Sequence, residues 1–116
     1  MPMDQALPSK PSTAADMAAL SSAELIGLGR ELRDEEIDVR EGWAGEFYGI
    51  PVQSTLDAIH LTGSLEGMII DPVYEGKSMA GLIDLVRSKD IPADSNVLYA
   101  HLGGQLALNA YSGLFR

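Results

Sequence analysis

Apolar positions along this chain fall into two spacings. Met17, Leu20, Leu25 and Leu28, with Glu24 among them, recur at helical intervals from Thr13 onward, and Gly27 and Gly29 follow where glycine can take a left-handed cap conformation. A second helix is predicted through Leu56, Ile59, His60 and Gly63, capped by Ser54 or Thr55 and ending before Gly67. A third runs from about Lys77 to Arg87, with Met79, Leu82, Ile83 and Val86 on one core-facing stripe. Met68–Ile70 and Val97–Ala100 are different: short unbroken apolar runs, as in strands covered on both faces. Gly103-Gly104 then opens a last helix through Leu106, Leu108 and Tyr111. The order strand, helix, strand, helix predicts an α/β fold, a parallel sheet with covering helices and a right-handed crossover. A sheet of so few strands has exposed edges. Its ligand crevice would lie beyond the carboxyl ends of the strands, where Tyr74, Glu75, Leu102 and the Gly103-Gly104 backbone fall.

Residues 1–12 carry three prolines and no apolar period, and read as an unfolded leader to a domain spanning 13–116. Arg30–Glu41 is dense in charge of both signs, as expected of a solvated surface connection. Trp43–Pro51 mixes aromatics with glycines and a proline, so it must bury rings without regular structure.

A length of 116 residues, 46% hydrophobic and 22% charged, fits one globular domain. The net charge of −9 opposes nucleic acid as a partner, since phosphate neutralisation needs clustered cations. No apolar run approaches the ~20 residues of a bilayer span, and the start lacks a secretory pattern. Zero cysteines exclude disulfides and thiolate metal sites, and His60 and His101 have no metal-ligand spacing, so no metal is expected. The expectation is a cytoplasmic protein. His60 reads as a core or boundary histidine.

Tyr74 follows Asp71-Pro72-Val73 on a turn that Gly76 allows to tighten. Its hydroxyl could enter the crevice as acid, base or donor, or its ring could simply cover the sheet. Glu75 beside it could hold a basic ring nitrogen protonated. Lys77 stands at a helix start, poorly placed for a cation, and could bind a carboxylate or cap nothing. Paired glycines let a backbone approach a flat ligand, although they also occur for steric reasons alone.

Asp71-Pro-Val-Tyr-Glu-Gly-Lys-Ser-Met, Leu98-Tyr-Ala-His-Leu-Gly-Gly and Ala107-Leu-Asn-Ala-Tyr resemble the C-terminal part of 1-aminocyclopropane-1-carboxylate deaminases. Leu25-Ile-Gly-Leu-Gly-Arg and Ala44-Gly-Glu-Phe-Tyr-Gly-Ile-Pro fit the same pattern, from roughly Ala23 to the C-terminus. The resemblance implies a pyridoxal 5'-phosphate enzyme of the tryptophan synthase β-like fold (fold type II). It opens the ring of a small amino acid substrate, yields 2-oxobutanoate and ammonia, and is homo-oligomeric at full length. It implies catalytic roles for Tyr74, on the ring carbons or as a proton relay, and for Tyr48, which would place the substrate. Glu75 would face the pyridine nitrogen, and Leu102 with Gly103 would complete the cofactor contact. D-cysteine desulfhydrases are similar but tend to carry serine and threonine where this chain has Glu75 and Leu102, which favours the deaminase.

The family's Schiff-base lysine, its substrate serine and its phosphate loop belong upstream of the matched motifs. None of Lys10, Lys77 and Lys89 has the lysine's context. The chain therefore reads as a truncated product, a gene-model fragment or a misplaced start, inactive alone. A non-catalytic fragment that docks on full-length subunits is the rival expectation.

Overall fold

The structure, a computed structural model, describes residues 14–116, so the expected leader at 1–12 lies outside the described residues. The described residues divide into two compact units, the first up to Arg40 and the second Glu41–Arg116.

In the first unit, α1 spans Ala14–Leu25. Its end is closed as the glycine spacing predicts: Gly27 sits at φ 63°, its N–H donates to Glu24 O, and the Leu28 N–H donates to Ala23 O. None of its residues is buried, and Met17 and Leu25 stand open to solvent. The charged connection that follows folds on its own ion pairs. Arg30 grips Glu36 through two hydrogen bonds of 2.9 Å, and the Arg33 N–H donates to the same carboxylate across the 3₁₀ turn Asp34–Glu36. That bonding, led by the Arg30 guanidinium, holds the Glu36 carboxyl down at about 2.

In the second unit, α2 (Gln53–Glu66) packs against α3 (Glu75–Arg87). α2 ends on Gly67 at φ 64°, whose N–H donates to Gly63 O. Its start differs from expectation: Val52 occupies the N-cap, and Thr55 is fully buried against α3 with its hydroxyl oxygen unpartnered. The interior is small. Ala58 and Ile59 of α2 meet Met79 and Ala80 of α3 over Ile70, with Trp43, Met68, Tyr99 and Phe115 packed around them. The expected stripe of α3 is only partly internal. Met79 is buried and Leu82 and Ile83 are half-buried, but Val86 is exposed; Gly76, Ala80 and Gly81 complete the buried face. Gly81 is small because Trp43 lies on it: a Cβ there would stand 3.1 Å from the indole, whose Nε1–H donates to Asp84 at 3.0 Å.

The predicted α/β fold is not observed. Among the described residues there is no strand, so the parallel sheet, the crossover and the tryptophan synthase β-like architecture fail together. Met68–Ile70 and Val97–Ala100 lie outside the helices without forming a ladder, because among the described residues no backbone hydrogen bond joins them to each other or to a third segment. A strand is defined by its neighbour, and local apolarity cannot supply one. The last helix is also not α. Gln105–Phe115 winds as a 3₁₀ helix after Gly104 at φ 88°.

Ile70 is the side chain on which this interior closes. Ile70→Ala is expected to lower stability by about 2–5 kcal/mol, read as a lower urea midpoint at unchanged slope.

Candidate functional site

The site begins with Asp71. Its fully buried carboxylate accepts the Val73 and Tyr74 N–H groups on Oδ2, both at 2.8 Å, and the Glu75 N–H on Oδ1 at 3.0 Å. It thus satisfies the donors that open α3, where the helix dipole favours an anion. Pro72 fits this turn because it needs no N–H of its own. The geometry admits no side chain at two glycines. A Cβ on Gly76 would stand 2.6 Å from Asp71 O, and one on Gly104 would stand 2.5 Å from Asp71 Oδ1. The paired glycines therefore give close approach to a carboxylate of the protein itself, while a Cβ on Gly103 would meet nothing within 4 Å.

The turn sends neighbouring side chains in different directions. Tyr74 is 60% exposed, and its hydroxyl is hydrogen bonded to that of Tyr48. The two rings meet edge to face at 5.9 Å. The bond to Tyr48 is the first cause that holds the Tyr74 phenol above its ordinary value. Lys77 reaches toward Phe47 O at 3.5 Å, and the Tyr111 hydroxyl donates to Gly49 O at 2.5 Å, so the aromatic loop is tied at both sides of Tyr48.

Glu75 turns inward and is only 6% exposed. Its Oε2 accepts the Tyr99 O–H at 2.7 Å and its Oε1 accepts the Leu102 N–H at 3.0 Å. Ser78 Oγ lies 2.6 Å from the same phenol oxygen. Burial first, then the Glu75 carboxylate, push the Tyr99 phenol up to about 12 against the lowering effect of Ser78. Beyond Leu102, His101 spans two segments: Nε2 bonds Ile69 O at 2.8 Å, while Nδ1 accepts the Gly103 N–H at 3.3 Å. The Leu102 side chain points away from all of this and is 86% exposed. His60, expected in the core or at its boundary, is instead exposed, and its ring meets Phe115 edge to face at 5.5 Å.

Of the five residues singled out from the sequence, Tyr48 and Tyr74 meet through their hydroxyls. Glu75 meets Leu102 through a backbone bond, and Gly103 follows one residue on. Asp71, Ser78 and Tyr99 were not singled out. An Asp-Pro pair ahead of a helix is a readable signal for the first, whereas nothing local marks Tyr99 as a partner for a residue 24 positions away.

Comparison with known proteins bears on these motifs. No protein-family model matches the chain. Over 98 residues it is 57% identical to a 1-aminocyclopropane-1-carboxylate deaminase of Methylobacterium nodulans. It is also 57% identical to one of Allorhizobium ampelinum and 54% identical to one of Variovorax paradoxus over the same length. The matched part of the chain is homologous to part of these deaminases. Each match covers 84% of this chain and 29% of the relative, so the chain spans under a third of the curated relatives' length.

The enzyme and cofactor expectations do not survive the geometry, for the deaminase and the desulfhydrase alike. Pyridoxal phosphate was expected on a sheet rim with Glu75 facing its ring, but the described residues hold no sheet to carry it. Glu75 is buried with both oxygens bonded inside the chain. Lys77 is directed at a backbone carbonyl. The residues present do not fit the group, and the catalytic reading of this chain as a pyridoxal-phosphate deaminase is corrected accordingly. Among the described residues no cluster of His, Asp and Glu could hold a metal ion, and no helix is long and apolar enough to cross a membrane.

The Tyr99 phenol has a folded-state value above its ordinary 10.0, so its contribution to stability is complete below pH 10 and is lost as pH rises through about 12. Tyr99→Phe should flatten this alkaline loss. Urea titrations of both proteins across that window would show the wild type falling more steeply, with Tyr74 acting equally in each.

Proposed function

We propose that this chain is a non-catalytic docking segment that seats on a longer polypeptide of the 1-aminocyclopropane-1-carboxylate deaminase family. The observation that carries the reading is the run Val97–Gly104. Tyr99, His101 and Gly103 turn toward the rest of the unit, while Leu98 at 97% exposure, Ala100 and Leu102 face out. Among the described residues, the backbone of 97–100 makes no hydrogen bond to other backbone. An extended edge held open by its inward side chains, with leucines outward, suits an occupant that brings both a backbone edge and an apolar face.

Homology supports the choice of occupant. Most of the length of the curated relatives has no counterpart in this chain, and that part would carry the complementary surface. Tyr48 and Tyr74, exposed on the neighbouring surface, would extend the contact with aromatic anchors. The small amino acid on which the relatives act would then be handled by the longer partner.

The test is direct. Purified chain mixed with the full-length Methylobacterium nodulans deaminase should sediment as a complex, and Leu98→Asp with Leu102→Asp should weaken it at least about tenfold. The chain alone should release no 2-oxobutanoate. Absence of a complex, or one indifferent to both aspartates, would refute the docking role.

A further inference from the structure

We propose that His101 is a proton-operated latch that sets the shape of the docking segment. This consequence rests on the docking reading; the geometry does not. The imidazole has two ring nitrogens and both are used. Nδ1 accepts the Gly103 N–H at 3.3 Å, which assigns the ring proton to Nε2, and that proton is donated to Ile69 O at 2.8 Å. Only the neutral ring in this tautomer makes both bonds. The first holds Gly103 at φ 114°, ahead of Gly104 at φ 88°, and so fixes the turn by which the segment leaves residue 101. The second ties the segment to the chain just before Asp71.

A second proton would go onto Nδ1. The nitrogen that accepted the Gly103 N–H then carries a hydrogen of its own, the two donors oppose each other, and Gly103 is released. The surroundings decide where the new N–H can turn. On the α3 side, Glu75 holds the Leu102 N–H through Oε1, and Asp71 Oδ1 lies against Gly104. These two carboxylates flank the turn. Met68–Ile70 and Gln105–Phe115 contain no charged residue, the Gln105 amide stands 3.5 Å from Nε2, and the Tyr111 phenol is bonded to Gly49 O. Protonation thus exchanges a backbone tie for attraction toward the base of α3, and the outward leucines move with the backbone that carries them. Acidification is therefore expected to weaken docking.

The experiment uses the full chain, labelled with ¹⁵N, across the range of roughly pH 8 to 5 in which imidazole side chains change charge. The Gly103 amide resonance should move in step with the His101 ring nitrogens. His101→Gln should leave Gly103 stationary, with His60 retained as an internal control. Sedimentation with the full-length Methylobacterium nodulans deaminase should show affinity falling about tenfold over that range for the wild type and not for His101→Gln, the scale of one lost hydrogen bond. A Gly103 amide that stays still while His101 titrates overturns the latch, and so does an equal loss of affinity in the variant. Failure to associate at every pH overturns the docking reading instead and leaves the Gly103 resonance to decide the latch.

Discussion

A buried carboxylate must be bonded or it must lose its charge, and Asp71 meets that demand by taking the amides of Val73, Tyr74 and Glu75 that lead into α3. Much of the second unit follows from this one turn. Because the carboxylate faces three consecutive N–H groups, the chain enters the helix at a fixed angle. Tyr74 is left outside, and Glu75 is the first residue turned in. The same carboxylate lies where a side chain on Gly104 would fall, and the Asp71 carbonyl lies where one on Gly76 would fall. Gly104, one of the pair that invites a ligand-binding interpretation, and Gly76 are thus required by the protein's own packing.

Divergence of residues 74 and 75 separates two surfaces that the motif alone presents as one. The phenol of Tyr74 pairs with Tyr48 in solvent, where it can touch a partner. Glu75 instead organises the interior, joining α3 to the segment carrying Tyr99 and Leu102. That segment owes its form to side chains rather than to a ladder, and its outward leucines remain uncovered. The docking role proposed above rests on that uncovered edge.

Met68–Ile70 and Val97–Ala100 show how far local pattern reaches. Both have the composition of buried strands, and Leu98–Gly104 even keeps the alternating exposure of one. Neither is a strand, because pairing requires a ladder of backbone hydrogen bonds and none joins them among the described residues. The helices were more legible. Their stripes depend on neighbours three and four residues away, which any stretch of chain provides, and the glycine stops at Gly27 and Gly67 act within a single turn. Ser54 and Thr55 looked like caps for an equally local reason, but packing claimed Thr55 for the core.

By itself the sequence determined that helices lie near α1, α2 and α3 though not their first residues, the turn at Asp71-Pro72, the excess of acid over base, and kinship with the deaminases through contiguous motifs. These are properties of residues near one another along the chain. Tertiary structure alone decided that Glu75 is occupied by Tyr99 and Leu102, that His101 reaches Ile69, that Trp43 lies on Gly81, and that the apolar runs go unpaired. Each joins residues far apart in sequence, and such pairs are chosen by the energy of burying particular groups together, which no local spacing encodes.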